Sequence, residues 1–225
     1  MGLFAVKEEE EFLYTISHDL NEPLRSIKSF GTFLEEEYGD MVDERGRFYI
    51  SRMLAAAERM GDMIDGLLEL SRVGRDENMS EVDLNEILIE VCAEMDDFID
   101  ERNGSVRSSL LPIVVADRKE IKKLFANLIE NAMKFNTGPN PRVRVESSRD
   151  EEGHTFVFED NSIPIPAKDR ERIFNVFERL HEREKYGGVG IGLAICRKIV
   201  ECHGGRIWAE GGEEGNRFCF TLPYR

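Results

Sequence analysis

The 225-residue chain lacks any apolar run approaching the roughly 18 residues that a membrane span requires, so we expect no direct membrane span. It has no excess of basic residues either: its net charge of −15 argues against a nucleic-acid partner. Its four cysteines show neither C-x-x-C nor metal-ligand spacing and are expected to be reduced thiols in or near a core. The sequence shows no secretory signal. Together these absences favour a cytoplasmic protein.

The chain does contain enough apolar residues, 41% of the total, for the cores of two modest domains. The polar segment 73–80 is the expected boundary, which gives domains of residues 1–73 and 80–225. Expected strands lie near 106–109, 113–116, 142–148, 154–160, 205–210 and 217–222, and expected helices near 83–101, 117–135 and 190–203. Helices that cover one face of this sheet would form a two-layer α/β sandwich.

A glycine-rich turn, Gly188-Val-Gly190-Ile-Gly192-Leu193, leads into an amphipathic helix. Backbone N–H groups at such a turn and the positive end of the helix dipole can hold phosphate oxygens. A P-loop is excluded because Leu193-Ala194 stands where that motif needs Lys-Ser/Thr. A dinucleotide fingerprint is disfavoured because the run is G-x-G-x-G and follows a charged segment. By itself, the run could also be a flexible glycine hinge.

A second polar block favours a nucleotide site over a hinge. Asn127, Asn131 and Lys134 follow i, i+4, i+7 spacing and so share one helical stripe, with Phe135 next. Such a stripe could simply be solvated surface. However, both asparagines lie on the border of an apolar helix face, where residues line grooves. Amide oxygens suit Mg²⁺, so the two blocks together indicate a site for Mg²⁺ and a nucleoside triphosphate.

Near the N-terminus, apolar residues at helical spacing predict a long amphipathic helix that carries a histidine. His18 points away from the apolar seam, next to Asp19, and shares its exposed stripe with Glu22 and Arg25. Pro23 is expected to kink the helix beside the histidine. An exposed histidine is usually an ordinary surface residue, but one that a carboxylate orients presents its other nitrogen as a nucleophile. Near an ATP site, phosphoryl transfer to nitrogen is the expected chemistry.

A second helix carries a heptad pattern of apolar residues between residues 50 and 67. Two such helices predict an antiparallel hairpin. One hairpin would leave much of both apolar stripes in water, so we expect two hairpins to pair into a four-helix bundle. The alternative is that the stripes form a docking surface for the rest of the chain.

These blocks carry a family resemblance that covers almost the whole chain. The segment around His18 resembles the H box of sensor histidine kinases, and residues 127–135 resemble their N box. Asp160 begins the segment where the G1 box falls, residues 173–177 resemble the F box, and residues 188–193 the G2 box. Ser-His-Asp-Leu followed by Glu-Pro-Leu-Arg is most similar to the phytochrome-type branch. Five boxes in order are a specific signal.

The resemblance implies an α+β architecture: a helical hairpin that forms a dimeric four-helix bundle, then a Bergerat (GHKL) ATP-binding sandwich. It implies that His18 is the phosphoacceptor and that Asp19 orients it and helps to take its proton. It also implies ATP and Mg²⁺ as cofactors. In the implied nucleotide site, Asn131 and Asn127 hold Mg²⁺ and Lys134 reaches phosphate. Phe135 packs near the base, and Asp160 accepts from the adenine amino group. Around the phosphates lie Gly188, Gly190 and Gly192, with Leu193 completing the G2 box, and residues 166–187 form a mobile lid.

The chain departs from the family pattern in the G1 box. That box usually reads Asp-x-Gly-x-Gly, whereas Ser162 and Pro164 stand here in place of the glycines. Ser162 adds a side chain, while Pro164 fixes φ near about −65° and removes an N–H donor. We therefore expect weakened ATP binding and slowed turnover without loss of the site.

Three functions are compatible with these patterns. The first is a histidine autokinase that passes its phosphoryl group to an aspartate on a response-regulator receiver domain. The second is a catalytically weakened dimeric signalling scaffold with a degenerate G1 box. The third is a conformational ATPase with the same nucleotide fold, which would lack a histidine-bearing hairpin. His18, Asn131 and Gly190 are intact and favour the first. We expect a homodimer, and an upstream sensor domain or partner to supply the stimulus.

Overall fold

The computed structural model describes residues 2–75, 78–180, 186–212 and 214–224, with side chains from residue 16 onward. The chain divides into two compact units, Met1–Ser71 and Arg72–Arg225. In the part that the structure describes, the first unit is helical, and the second combines helices with β-strands. No described helix has the length and apolar character to cross a membrane.

The first unit is a hairpin of α1 (Gly2–Tyr38) and α2 (Glu44–Arg72). Pro23 lies inside α1 and does not end it. Glycines let the two helices approach: a Cβ on Gly31 would lie 2.6 Å from Cδ2 of Leu54, and one on Gly61 would lie 3.7 Å from Cδ2 of Leu24. The predicted antiparallel hairpin is therefore present, and its helices pack through small residues.

Many large apolar side chains of the hairpin remain in contact with solvent. Leu20 is 50% exposed and Phe30 is 66% exposed, whereas Leu24 is buried within the hairpin itself. The other exposed apolar residues of α1 and α2 are Ile16, Ile27, Phe33, Leu34, Tyr38, Phe48, Tyr49, Met53, Met60 and Leu67. So many large apolar side chains in contact with solvent are unusual on two helices, and together they mark a candidate interaction surface.

The second unit is an α/β sandwich. Its elements are β1 (Met79–Asp83), α3 (Leu84–Glu94), α4 (Asp96–Asp100), β2 (Ser105–Ser108), β3 (Ile113–Asp117), α5 (Arg118–Lys134), β4 (Arg142–Arg149), β5 (Gly153–Asp160), α6 (Gly192–Cys202), β6 (Ile207–Gly211) and β7 (Asn216–Pro223). Two 3₁₀ turns, Ala167–Asp169 and Arg172–Phe174, lie between β5 and α6.

The strands form two sheets instead of the single sheet expected from the sequence. The main sheet has five strands in the order β2-β4-β5-β7-β6, and its pairs are antiparallel except for β2 with β4. The first strand, β1, pairs with β3 in a separate antiparallel ribbon, although residues 79 and 80 were expected to lie in the boundary segment. The helix expected over 83–101 is interrupted at Met95, which separates α3 from α4.

Aromatic and aliphatic side chains join α5 to the main sheet. The Phe125 ring lies edge-on to Phe158 with the ring centroids 5.0 Å apart, and Phe156 stacks on Phe220 at 4.9 Å. The predicted apolar face of α5 is confirmed, because its members Ile121, Phe125, Leu128, Ile129 and Ala132 are all buried. This packing fixes which face of α5 is turned away from the sheet.

The N-terminus of α5 is bound to the C-terminus of α6. Asp117 caps α5 by accepting the N–H groups of Lys119 and Glu120 at 2.9 and 3.1 Å. The backbone N–H of Asp117 donates to Nε2 of His203 at 3.0 Å, and Nδ1 of His203 donates to the carbonyl of Ile199 at 2.8 Å. These two bonds require the Nδ1–H tautomer. His203 is therefore a structural residue at the end of α6, as the sequence predicts.

Candidate active site

The exposed histidine of α1 has a carboxylate partner. The side chains of His18 and Asp19 are 69% and 70% exposed, and Nδ1 of His18 lies 3.3 Å from Oδ1 of Asp19. A carboxylate can only accept, so this contact places the imidazole proton on Nδ1. Nε2 is then the nitrogen that carries an available lone pair. This is the orientation that a nucleophilic imidazole needs.

A cleft of about 450 Å³ opens beside this histidine. It is lined by His18, Asn21, Glu22, Arg25 and Leu68. The predicted polar stripe of α1 therefore lies along one cleft, to which α2 contributes Leu68. The cleft combines a nucleophile, an amide, a carboxylate and a guanidinium group, so it offers both attraction and repulsion to a phosphoryl group.

In the second unit, the glycine turn has a backbone conformation that other residues rarely adopt. Gly188 and Gly190 have φ angles of 69° and 78°. A Cβ on Gly190 would lie 2.6 Å from the carbonyl oxygen of Glu178, and the N–H of Phe177 donates to the carbonyl of Gly190 at 2.9 Å. Glycine at 190 is thus required both by conformation and by close packing against the chain around residue 178.

Asn127 contacts the glycine turn directly. Its side chain is buried and its Nδ2 donates to the carbonyl of Gly192 at 3.3 Å. A Cβ on Gly192 would lie 3.5 Å from Oδ1 of the same asparagine. Asn131, one turn further along α5, is half-buried, as is Leu193 in the first turn of α6. Asn127 of the predicted stripe therefore lies against the start of α6.

Lys134 also lies against the glycine turn. A Cβ on Gly188 would lie 2.7 Å from its Nζ, so the ammonium group occupies the space that this glycine leaves open. Nζ lies 3.9 Å from Oε1 of Glu130 and 5.7 Å from the ring centroid of Phe135. The Phe135 ring in turn lies 5.3 Å from that of Tyr186. A cation and two aromatic rings therefore collect at the C-terminal end of α5.

Asp160 lies at the end of β5 in a buried polar network. It is 5% exposed, and its Oδ1 accepts hydrogen bonds from the N–H and the hydroxyl of Ser162 at 2.8 and 2.6 Å. Asn216 of β7 donates to the same oxygen at 3.5 Å. Burial raises the pKa of the Asp160 carboxyl, while these hydrogen bonds act in the opposite direction. The carbonyl of Phe135 accepts the N–H of Ile163 at 3.1 Å, which joins this network to the end of α5.

Two residues of this region were not singled out from the sequence. Asn216 is buried at the start of β7, and its register with Phe218, Phe220 and Leu222 was the available signal, because alternate residues of a strand face the same side. Arg179 donates from Nη1 to the carbonyl of Gly187 at 2.7 Å and also to that of Gly188. The charged stretch of sequence in which Arg179 lies does not predict these bonds to the glycine turn. Residues 181–185 of the expected lid lie outside the described residues.

Comparison with known proteins places both units in described families. Residues 8–76 match the His Kinase A (phospho-acceptor) domain, and residues 116–225 match the histidine kinase-, DNA gyrase B- and HSP90-like ATPase. Cyanobacterial phytochrome B from Nostoc sp. is 42% identical over 221 residues, which are 96% of this chain and 29% of that protein. Sensor histidine kinase WalK from Bacillus subtilis is 31% identical over 232 residues, covering 97% of this chain and 37% of WalK.

A solved structure shares the architecture. Full-length ShkA in complex with AMPPNP superposes with a TM-score of 0.67 at 25% identity, over 95% of this chain and 46% of ShkA. The chain therefore spans less than half the length of each of these proteins. A helical hairpin followed by an α/β sandwich is the arrangement that this chain shares with ShkA.

Proposed function

Since the chain belongs to the sensor histidine kinases, we propose that it transfers the γ-phosphoryl group of ATP to His18 and then to an aspartate on a response-regulator receiver domain. The observation that carries this proposal is the convergence of α5 on the glycine turn: Asn127 donates to Gly192, and Lys134 lies over Gly188. Amide, ammonium and turn N–H groups are the partners that a triphosphate requires. The second unit is an ATPase domain of this family, which supports ATP as the nucleotide.

In this proposal each residue of the nucleotide site has a separate role. Gly188, Gly190 and Gly192 surround the phosphates with backbone N–H groups at the start of α6, where Leu193 forms the first turn. Lys134 neutralises phosphate charge. Phe135 packs near the adenine, and Asp160 accepts a hydrogen bond from its amino group.

Asn127 and Asn131 are the residues that we propose for Mg²⁺. Their amide oxygens are hard donors, which suit this ion. The described residues contain no group of three or more His, Cys, Asp or Glu able to hold a metal, which fits an ion that receives its other ligands from phosphates and water. Bound Mg²⁺ would neutralise charge on the triphosphate. The bond from Asn127 to the carbonyl of Gly192 orients the first amide, and Asn131 follows one turn further along α5.

The chemistry at the histidine needs little covalent work from the protein. The lone pair of Nε2 forms the N–P bond while the bond from the γ-phosphorus to the bridging oxygen breaks, and ADP leaves with that electron pair. Asp19 holds the proton on Nδ1 and stabilises the positive charge that develops on the ring. Transfer to a receiver aspartate then breaks the N–P bond and regenerates the neutral imidazole.

The same proposal assigns the domains and the assembly. Residues 1–73 would form the dimerisation and histidine phosphotransfer domain, and residues 80–225 the ATP-binding catalytic domain. The exposed apolar face of the hairpin supports a homodimer through a four-helix bundle. A cytoplasmic location and regulation by an upstream sensor domain or partner complete the proposal.

The test is radiolabel transfer from ATP labelled in the γ position, with the site identified by mass spectrometry. The parent chain should gain acid-labile, alkali-stable phosphate on His18 and pass it to a receiver domain. His18→Gln should bind ATP but take up no label, whereas Asn131→Asp should lose both Mg²⁺-dependent binding and label. His154→Gln, a partly exposed histidine on β5, is the matched control and should label normally. Labelling that survives in His18→Gln would disprove the assignment.

A further inference from the structure

The G1 segment of this chain carries Ser162 and Pro164 where glycines are usual, and the sequence alone indicates that both weaken the site. The backbone shows no such strain. Ser162 does not have a positive φ, so it adopts a conformation that is open to any residue. The close approach in this region is provided by Gly215 instead, where a Cβ would lie 2.3 Å from the carbonyl oxygen of Asp160.

Pro164 has no backbone N–H, and the hydrogen bonds of the neighbouring backbone N–H groups do not depend on one. The N–H of Ser162 is bound by Asp160 at 2.8 Å, that of Ile163 by the carbonyl of Phe135 at 3.1 Å, and that of Ile165 by Oδ1 of Asn216 at 2.7 Å. Each N–H around Pro164 therefore has a partner. The segment is fully hydrogen-bonded with a proline at this position.

The directions of the hydrogen bonds around Asp160 follow from Asn216. Its Oδ1 faces the N–H of Ile165, which can only donate, so its Nδ2 must face Ser162 and Ile163. Nδ2 donates to the Ser162 hydroxyl at 2.9 Å and to the carbonyl of Ile163 at 3.0 Å. Because that hydroxyl accepts from Asn216, its own proton is directed to Asp160, 2.6 Å away. The chain of donors runs from Asn216 through Ser162 to Asp160.

This chain of donors makes the two oxygens of Asp160 unequal. The bonds from Ser162 and from the Asn216 side chain all end on Oδ1. Oδ2 is the oxygen that these donors do not use. We propose that Ser162 and Asn216 are positioning residues, which hold Oδ1 of Asp160 and thereby present Oδ2 to the exocyclic amino group of the nucleotide base. This inference rests on the proposed role of Asp160 in adenine recognition.

The electrostatics of the pocket support the same role. Burial raises the pKa of the Asp160 carboxyl, and the hydrogen bonds from Ser162 and Asn216 favour its ionised, accepting form. The strands on either side place Val143 and Asn216 opposite Asp160. The nearby cations have acidic partners: Arg142 pairs with Glu214, and Arg217 lies 3.8 Å from Glu210. The two hydrogen-bonding residues are therefore the groups that oppose the effect of burial.

The test compares ATP with purine riboside triphosphate, which lacks the exocyclic amino group. Ser162→Ala removes the hydroxyl and keeps the volume of the side chain close to that of serine. It should weaken ATP binding about tenfold, the usual effect of losing a hydrogen bond to a charged group. Binding of purine riboside triphosphate should change by less than about twofold, since the contact that Oδ2 would make is absent. Both affinities are measured by calorimetry on the full chain.

Three further variants make the result decisive. Ser162→Gly, which restores the glycine that is usual at this position, should weaken ATP binding in the same selective way as Ser162→Ala. Ser162→Thr keeps the hydroxyl and should recover ATP affinity relative to Ser162→Ala. Ser147→Ala, a half-buried serine on β4, is the matched control and should bind both nucleotides as the parent does.

The outcomes separate this inference from the proposed function. If the parent binds ATP and Ser162→Gly binds it more tightly, or if Ser162→Ala loses both nucleotides equally, the positioning role is overturned while the kinase proposal stands. If the parent binds neither nucleotide, the proposed function fails and this inference fails with it. Melting curves of every variant show whether a loss of affinity comes from unfolding.

Discussion

Nδ1 of His18 and Oδ1 of Asp19 lie 3.3 Å apart on the exposed side of α1, so consecutive residues form the oriented pair at the proposed phosphoacceptor site. Both side chains are largely exposed. Because the two residues are adjacent in the chain, the pair depends on the helix and not on a distant contact. It can therefore be altered without disturbing a core.

Asp19→Asn should separate the orientation of the His18 imidazole from the binding of ATP. The neutral amide can donate to Nδ1 as well as accept from it, so it no longer selects the Nδ1–H tautomer, and it cannot stabilise the developing positive charge. Autophosphorylation should therefore fall about 10²-fold or more, the usual contribution of a positioned acid or base. ATP affinity, measured by calorimetry, should stay unchanged. Asp40→Asn, at the exposed turn after α1, is the control and should keep the parental rate. A parental rate in Asp19→Asn would exclude a role for this carboxylate.

Glu22 lines the cleft beside His18 and should limit phosphatase activity. Its carboxylate would repel the phosphoryl oxygens of a phosphorylated receiver at close range. Sensor histidine kinases with strong phosphatase function usually carry Thr or Asn four residues after the histidine, an uncharged group able to orient a water molecule. We expect weak phosphatase activity in the parent and a severalfold increase in Glu22→Thr. Glu36→Thr, exposed further along α1, serves as the control. Rapid dephosphorylation by the parent, undiminished in Glu22→Ala, would contradict this account.

The homodimer can be tested with residues that differ in burial within one hairpin. Leu20 is half exposed and should become buried only in the four-helix bundle, so Leu20→Ala should cost the dimer about 2 kcal/mol per copy. Leu24 is already buried by its own hairpin, so Leu24→Ala should also lower the stability of the hairpin. Ile64 and Leu67 of α2 are further candidates for the shared core. Light scattering is the measurement, and a parental mass near 25.8 kDa at tens of micromolar would rule out the dimer.

Two neighbouring glycines allow strain to be separated from packing. Gly187 has a φ of 54° with nothing within 4 Å of a Cβ, whereas a Cβ on Gly190, at a φ of 78°, would lie 2.6 Å from the carbonyl oxygen of Glu178. Both alanine variants should carry the left-handed penalty of about 1–2 kcal/mol. Only Gly190→Ala must also move the backbone, so its ATP affinity should fall much further. Equal affinities for the two variants would show that the close approach does not matter.

The raised pKa of Asp160 predicts that Asp160→Asn will change stability and ATP affinity in opposite directions. Because burial raises its pKa in the fold, the stabilising contribution of this group is present below the unfolded value, about 3.9, and is lost as pH rises through the folded pKa. Asp160→Asn does not ionise, so its stability advantage over the parent should grow over that range and then become constant. Urea unfolding across this range measures it, with exposed Asp97→Asn as the control. The variant should nevertheless lose ATP affinity; equal stability at every pH would contradict the prediction.

The sequence was sufficient for elements whose signals are local. Apolar periodicity predicts α5 to within a residue at each end, and the alternation around Phe218 and Phe220 predicts β7. The ribbon of β1 and β3 was missed because β1 has only five residues, and two of them, Ser80 and Glu81, are polar and exposed. Strand pairing is a tertiary property, so alternation in β3 could identify a strand without identifying its partner.

The residues of the candidate site also fall into two groups, those that a local pattern predicts and those that depend on a partner distant in sequence. Residue types and spacing were enough to select His18, Asn127 and Lys134, because each belongs to a local pattern, whereas Asp160 was selected by the family resemblance. The contribution of Asn216 depends on a partner from a different strand, which no local pattern contains. For the same reason the sequence suggests only a steric cost when a side chain replaces a glycine at 162, whereas in the structure the Ser162 hydroxyl bonds both Asp160 and Asn216.

The bond between Asp117 and His203 lies where the segment after the helical hairpin contacts the start of α5. It joins the start of α5 to the end of α6, whereas Lys134, at the other end of α5, lies against Gly188. Gly74, which follows the helical hairpin in the chain, donates its N–H to Glu120 at 2.6 Å, and Glu120 lies 3.8 Å from Nδ1 of His203. The backbone of Gly74 and the glycine turn therefore contact opposite ends of the same helix.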